Sequence, residues 1–249
     1  MVYIAGLNVY EILCRSPVSH AQGVESVVWL TTFAGVYRGF RNHAKGHRHR
    51  LHAKHGLPQT NLDTGIPQAP GANIGVKPPT PFLVKFLSPV VHAAIIVTPT
   101  VYLVSTAWGS MEQPEWFSNW ALPDLDLEVG PFATLRTLAC VANYGLLYIL
   151  KRTRQQIHAA STPEKPSIPQ EGPYSFVRHP MAAATLLGQV TYALMWWNTI
   201  PLAAAATTAV YLTFQLPHEE HVKETDLLTG TQYSEYKKRV TSRLIPYVW

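Results

Sequence analysis

The feature that most constrains this chain is a run without Asp, Glu, Lys or Arg over residues 180–217, a stretch of 38 residues. One membrane-spanning helix needs about 20 apolar residues, so a run of this length suits two short spans. The segment Trp-Trp-Asn-Thr-Ile-Pro at 196–201 divides the run, because interfacial aromatics, a turn-forming Asn and a Pro favour a break. We therefore predict a helical hairpin over 180–217, with helices at 180–197 and 201–217.

Composition is consistent with a membrane protein. Hydrophobic residues make up 47% of the 249 residues and charged residues only 14%, whereas a soluble domain usually carries about a quarter charged residues. The net charge of +5 says little about partners until its placement is known, and we predict no nucleic-acid partner. Cys14 and Cys140 lie far apart in apolar surroundings, so no disulfide framework is predicted. No secretory signal is predicted either, because the first residues lack a basic region followed by a long apolar region before Glu11.

Three further apolar segments precede the hairpin. Residues 86–111 contain two prolines, which membrane helices tolerate better than soluble ones. Residues 129–150 include Arg136 near one end, and residues 22–37 form a short run that contains Glu25. Together with the hairpin they predict an all-α, polytopic membrane protein with about five membrane segments.

The charges of the connecting segments set the orientation of these spans. A predicted loop at 38–55 is basic and carries five histidines: His43, His47, His49, His52 and His55. Residues 151–154 are also basic, whereas 112–128 is acidic and has no Lys or Arg. Because positive loops face the cytosol, the C-terminal tail is predicted to be cytosolic. The histidine-rich loop is interpreted as a cationic surface attracted to anionic lipid, and no metal site is predicted.

Ionisable residues flank both ends of the hairpin. Arg178 and His179 precede Pro180, a residue favoured at a helix start, and Glu219 and Glu220 follow the second helix. A hairpin returns its ends to one place, so the imidazole and a carboxylate can meet. Ionisable groups at a membrane boundary are candidates for function. Glycine-rich nucleotide-binding loops and the GxSxG motif are absent, which disfavours a soluble Rossmann-type enzyme.

Several linked motifs between residues 166 and 246 resemble the integral-membrane methyltransferases of the isoprenylcysteine carboxyl methyltransferase group, which is itself similar to phospholipid methyltransferases. In chain order the motifs are Gly172-Pro173-Tyr174, Arg178-His179-Pro180, the hairpin, Glu219-Glu220, Gly230-x-x-Tyr233-x-x-Tyr236 and Arg243-Leu244-Ile245-Pro246. The first 130 residues offer only a compatible topology. The chain then divides into N-terminal membrane helices (1–130), with the loop at 38–55 and a Pro/Gly-rich linker (58–81), and a methyltransferase-like region (131–249).

The resemblance implies S-adenosylmethionine as methyl donor, bound on the cytosolic side of an endoplasmic-reticulum-like membrane. Its cofactor-binding positions in this sequence are Ile168, Tyr174, His179, Pro180 and one or both of Glu219 and Glu220. Arg178 and Glu220 are the candidate catalytic residues. Arg178, or alternatively Arg243, could orient an acceptor carboxylate. Glu220, with Glu219 and His218 as alternatives, could take a proton from an amine or hydroxyl acceptor. The implied partners are membrane lipid and a lipophilic or prenylated acceptor that enters laterally.

The chain also departs from the family pattern. Ala182 stands where the family usually has a tyrosine, and no arginine lies about four residues before the second acidic site. Carboxyl O-methylation of a lipophilic or prenylcysteine-type acceptor is the first expectation. The open alternatives are phospholipid N-methylation, an NADPH-dependent sterol reductase, and a membrane scaffold without catalysis. A helix is predicted over 231–243 in the polar C-terminal tail.

Overall fold

The computed structural model describes residues 3–4, 7–8, 20–53, 60–61, 66–67, 81–109, 112–123, 129–160, 167–226 and 229–246. Among these, the residues before 23 and those at 42–67 and 129–130 are described by their backbone alone. Most of the predicted linker at 58–81 therefore lies outside the described residues.

Helices dominate the described part of the chain, which confirms the all-α class in its coarse form. The helices are α1 His20–Ala53, α2 Phe82–Trp108, α3 Glu115–Ser118, α4 Val129–Ala160, α5 Pro180–Trp196, α6 Ile200–Glu224 and α7 Gly230–Arg239, with a 3-10 turn at Gly172–Ser175. Two antiparallel pairs of two-residue strands add to them, β1 Tyr3–Ile4 with β2 Leu7–Asn8, and β3 Thr60–Asn61 with β4 Ile66–Pro67.

Among the described residues, three helices are long and apolar enough to cross a membrane: Phe82–Trp108, Pro131–Ala160 and Ile200–Glu224. They correspond to the second and third predicted spans and to the second arm of the hairpin. The remaining two predicted spans are helical, but α5 has only 17 residues and α1 carries a long basic end.

The predicted loop at 38–55 is wrong for residues 38–53, which continue α1 as helix. The physical reason is that Arg, Lys, Ala and Leu have high helix propensity and that no proline occurs between Pro17 and Pro58. Extending an existing helix also avoids the cost of nucleation. Likewise α4 runs ten residues beyond the predicted end at 150, through the basic segment at 151–154.

The hairpin breaks where the sequence predicts. Helix α5 ends at Trp196, and Trp197 adopts a left-handed conformation with φ of 53°. The buried Asn198 fixes the turn, since its Nδ2 donates to the Phe117 carbonyl at 2.7 Å and its Oδ1 accepts from the Ile200 amide at 2.9 Å. Helix α6 then continues past Pro217 to Glu224, further than the predicted end at 217. Proline is tolerated there because neighbouring helices support the interrupted backbone.

The main core lies at the turn end of the hairpin. Trp196 is fully buried, and its ring stacks on Tyr102 of α2 with a centroid separation of 4.4 Å. Trp196 Nε1 donates to Thr32 Oγ1 of α1 at 3.1 Å. Trp196 therefore joins α1, α2 and α5 at the end of the bundle opposite to His179.

A group of polar residues, here called the distal cluster (the buried Glu25, Tyr102 and Arg136 with the half-buried Gln113), lies beside this core. Arg136 Nη2 and Glu25 Oε2 are 2.6 Å apart, and Arg136 Nε donates to the Met195 carbonyl at 2.7 Å. Tyr102 and Gln113 both donate to Glu25 Oε1. The two isolated charges within the first and third predicted spans thus neutralise one another inside the bundle.

Candidate active site at the open end of the hairpin

The two ends of the hairpin meet at His179 and Glu220. His179 directly precedes α5, whose first residue is the buried Pro180, and Glu220 lies in the last two turns of α6. The antiparallel packing of α5 and α6 brings His179 Nε2 within 3.1 Å of Glu220 Oε1. The predicted contact between an imidazole and a carboxylate is therefore present.

The C-terminal segment closes this end of the bundle through backbone hydrogen bonds. The Arg178 amide donates to the Ser242 carbonyl and the His179 amide to the Arg243 carbonyl, each at 3.0 Å. The predicted helix over 231–243 is consequently wrong at its end, because α7 stops at Arg239. The carbonyls of residues 242 and 243 pair with 178–179 instead of continuing a helix.

Three cations surround the Glu220 carboxylate, which is only 2% exposed. Arg178 Nη1 lies 3.4 Å from Glu220 Oε1, while Arg243 Nη2 and Lys237 Nζ lie 3.2 and 3.7 Å from Oε2. Removing a carboxylate from such a setting would leave buried positive charge uncompensated. Glu220 is thus the central residue of a cluster formed by α6, α7, the segment before α5 and the segment after α7.

Glu219 occupies a different environment, since its side chain is 18% exposed. Gln215, one turn earlier on α6, donates from Nε2 to Glu219 Oε1 at 2.8 Å. Glu219 Oε2 lies 3.8 Å from His179 Nδ1. Successive helical residues point about 100° apart, so the two acids face different sides of His179.

Burial lowers the pKa of His179, and this effect outweighs the hydrogen bond and the nearby carboxylates that favour the charged form. A neutral imidazole carries one proton, and the hydrogen bond to Glu220 assigns it to Nε2. His179 Nδ1 is then an acceptor with a free lone pair that faces Glu219.

This lowered pKa predicts a pH dependence of stability. The unfolded chain binds a proton at His179 near pH 6.5, whereas the folded chain does so only at lower pH. The stability contributed by His179 is therefore complete above about pH 6.5 and is lost as the pH falls toward its folded pKa. We expect the melting temperature of the wild type to fall more than that of His179→Gln between about pH 7.5 and about pH 5.5. Equal decreases in melting temperature in the two proteins would contradict a lowered pKa of His179 in the folded chain.

Two tyrosines of α7 form a buried cluster beside the site. Tyr233 and Tyr236 are buried together with Val240, and Ile168 and Tyr174 pack against them. Tyr236 donates from its hydroxyl to the Tyr174 carbonyl at 2.8 Å. Burial is the main cause that raises the pKa of Tyr174, Tyr233 and Tyr236, so all three phenols are neutral.

The Gly172-Pro173-Tyr174 motif forms the turn that precedes Arg178 and His179 in the chain. Gly172 has φ of 56°, a left-handed conformation that glycine adopts without a steric penalty. The turn is tied to the end of α4, because Gln156 Nε2 donates to the Glu171 carbonyl at 2.9 Å. The motif therefore holds Tyr174 against α7 and links the site to the basic end of α4.

Three polar atoms around the His179–Glu220 pair are buried without a hydrogen-bond partner among the described residues: Arg178 Nε, Gln215 Oε1 and Tyr233 Oη. Buried polar atoms are normally paired, and exceptions in a cluster indicate a ligand or water. Sequence reasoning missed Gln215 and Lys237. The spacing of Gln215 one turn before Glu219 was the available signal.

The sequence-predicted site residues fall into two groups. Arg178, His179, Glu219 and Glu220 contact one another, and Pro180 begins the helix beside them. Ile168 and Tyr174 instead contact the α7 tyrosines, and the Ile168 amide donates to Gln232 Oε1 at 3.2 Å. Comparison of the chain with protein-family models gives no match, and comparison with curated proteins gives none either.

Proposed function

We propose that this chain is an integral-membrane, S-adenosylmethionine-dependent methyltransferase that methylates a carboxyl group on a lipophilic or prenylcysteine-type acceptor. The observation that carries the proposal is the buried His179–Glu220 pair with unpaired polar atoms around it at the end of an apolar hairpin. The sequence motifs between residues 166 and 246, in their order along the chain, support S-adenosylmethionine as the methyl donor. In this proposal α1, α2, α4, α5 and α6 all span the membrane, which is that of an endoplasmic-reticulum-like compartment.

The charge distribution supports a cytosolic location for the site. The basic end of α4 contacts the turn that leads into Arg178 and His179. The segment at 112–123 packs against the opposite end of the hairpin, where the Thr199 amide donates to the Trp120 carbonyl at 2.8 Å. Basic segments favour the cytosolic side.

The residues present fit the polar part of S-adenosylmethionine. Unpaired buried atoms of both hydrogen-bonding types lie around Glu219, Glu220 and His179 among the described residues. Glu219, Glu220 and His179 would hold the charged portion of the methyl donor, while Ile168, Tyr174 and Pro180 would contact its less polar portion. When bound, S-adenosylmethionine supplies an activated methyl group for in-line displacement.

The cations of the site would orient an acceptor carboxylate. A carboxylate is ionised at neutral pH, so it needs no general base. Arg178 and Arg243 already bind one carboxylate, that of Glu220, and Arg243 is the more exposed of the two. Accepting a proton at Glu220 would break its ion pairs, which disfavours Glu220 as a base for an amine acceptor. Positioning alone can supply several kcal/mol of the barrier reduction.

A methyl-transfer assay tests the proposal. Purified protein in nanodiscs would be incubated with methyl-labelled S-adenosylmethionine and, separately, S-farnesylcysteine, phosphatidylethanolamine and a lipid extract. We expect base-labile label, typical of an ester, in the prenylcysteine arm. Stable label in phospholipid would indicate N-methylation. No label with any acceptor would favour a scaffold, and NADPH-dependent reduction of a sterol would indicate the reductase alternative.

The five-span topology gives a separate prediction. In a background with Cys14→Ser, single cysteines replace the exposed Ser118 and the exposed Lys238. Intact microsomes would be treated with a membrane-impermeant maleimide, with buried Cys140 as internal background. We expect Lys238→Cys to react from the cytosolic side and Ser118→Cys to react only after permeabilisation. Labelling of both from the same side would contradict the topology.

A further inference from the structure

The site contains unpaired groups of opposite hydrogen-bonding type at its two ends. A contiguous chain of contacts joins Gln215 to Glu219 (2.8 Å), Glu219 to His179 (3.8 Å), His179 to Glu220 (3.1 Å) and Glu220 to Arg178 (3.4 Å). At the first end the unpaired atom, Gln215 Oε1, is an acceptor. At the second end Arg178 Nε and Tyr233 Oη carry protons to donate and have no partner in the described part of the chain.

The acceptor end suits a cationic group. Gln215 Oε1, Glu219 Oε2 and the lone pair of His179 Nδ1 are all acceptors, and they come from two turns of α6 and from the residue before α5. Two acceptors that face each other, such as Glu219 Oε2 and His179 Nδ1, gain a hydrogen bond only from a proton-bearing group placed beside them. The Lys223 ammonium, whose charge acts on Glu219 and His179, lies 5.6 Å from the centroid of the Tyr233 ring and forms no ion pair with either residue within 4 Å in the described part of the chain. A ligand ammonium group would supply three protons to these acceptors.

The donor end suits an anionic oxygen. Arg178 uses Nη1 for Glu220 and Nη2 for the Thr241 carbonyl at 3.2 Å, which leaves the Nε–H. The side chains of Arg178 and Tyr233 are more than nine-tenths buried. The Tyr233 ring lies 6.0 Å from the ring of Tyr236, whose hydroxyl is 3.4 Å from the carbonyl oxygen of Val177, the residue before Arg178. Two buried donors without an internal acceptor favour a carboxylate oxygen.

We infer that the cluster is a recognition site for the zwitterionic end of an α-amino acid, with the ammonium group at Gln215, Glu219 and His179 and the carboxylate at Arg178 and Tyr233. This inference rests on the proposed function. Two ligands of that reaction carry such an end: the methionyl part of S-adenosylmethionine and the cysteinyl part of a prenylcysteine. Tyr233, Gln215 and Arg178 are then the residues that set specificity for it.

Paired ligands with and without one charged group test the inference. Binding in nanodiscs is measured for S-adenosylmethionine and its decarboxylated analogue, and for S-farnesylcysteine and S-farnesylcysteamine, which lacks the carboxylate. We expect one of these pairs to differ by about 10-fold in the wild type, since hydrogen bonds to charged groups are the stronger kind. The pair that responds identifies whether the methyl donor or the acceptor supplies the zwitterion.

Tyr233→Phe is the diagnostic variant, because it removes one unpaired hydroxyl and keeps the buried ring. We expect it to reduce the preference between the responding pair by about fivefold or more, and Arg178→Lys, which removes the Nε–H, to do the same. Tyr236→Phe is the matched control: its hydroxyl is already bonded to the Tyr174 carbonyl, so the preference should stay unchanged.

Equal affinities within both pairs, or loss of preference in Tyr236→Phe but not in Tyr233→Phe, would overturn the inference while leaving the proposed function intact. Absence of binding by any S-adenosyl compound would overturn both. Normal methyl transfer together with an unchanged preference in Tyr233→Phe would assign the two donors a purely structural role.

Discussion

Glu220→Gln is expected to lower kcat/KM for methyl transfer by about 100-fold, equivalent to about 2.7 kcal/mol. The carboxylate is 2% exposed and lies between His179, Arg178, Arg243 and Lys237 at 3.1 to 3.7 Å. Glutamine keeps the shape but removes the charge that holds these cations in place. Their new positions would disturb both the methyl-donor site and the acceptor site.

Glu224→Gln is the matched control for this prediction. Glu224 lies one turn further along α6, is 31% exposed in its side chain and binds Lys237 at 2.6 Å. Exposed ion pairs contribute about 0–1 kcal/mol, so activity should change by about twofold or less. Thermal melting of both variants separates loss of the site from loss of the fold. Retention of more than about a tenth of wild-type activity by a folded Glu220→Gln protein would contradict the central role of this residue.

Arg136→Met is expected to lower the free energy of unfolding by about 3–5 kcal/mol, the cost of leaving a buried ion without its partner. Arg136 binds Glu25 at 2.6 Å and the Met195 carbonyl at 2.7 Å, and it thereby joins α1, α4 and α5. Without it, Glu25 stays buried beside Tyr102 and Gln113 with an unpaired charge. Denaturation in detergent, followed by tryptophan fluorescence, measures the change.

The double variant Glu25→Met with Arg136→Met distinguishes charge burial from packing. Replacing both members of a buried pair by apolar residues is often neutral or stabilising, so we expect the double variant to regain most of the lost stability. Arg152→Met, at an exposed position of the same helix, is the control and should lie within about 0.5 kcal/mol of the wild type. A double variant as unstable as Arg136→Met alone would count against the ion-pair explanation.

The arrangement of the hairpin could be predicted because it depends on local signals. A charge-free run, its central aromatic residues, Asn198 and Pro201 determine where the helices break, and their antiparallel return brings His179 toward the acids at 219–220. The lengths of the helices could be predicted less well from the sequence. Residues 38–53 continue α1 because a basic segment without proline extends an existing helix at little cost.

Tertiary contacts account for what the sequence could not predict. Glu25 and Arg136 are 111 positions apart, and only the packing of three helices brings them together. Whether Glu219 or Glu220 lies at the centre of the ion-pair cluster depends on the rotation of α6 about its own axis. The hydrophobic pattern of a hairpin does not determine that rotation. The end of α7 at Arg239 follows from backbone pairing between 178–179 and 242–243, a contact between distant segments.

Direct measurement of methyl-donor binding tests the central claim most sharply. Wild-type protein and Glu220→Gln in nanodiscs would be titrated with S-adenosylmethionine in a calorimeter, without acceptor. We predict one saturable site per chain in the wild type and a loss of binding of about 100-fold in the variant. No heat of binding in the wild type, or the same affinity in both folded proteins, would contradict the account.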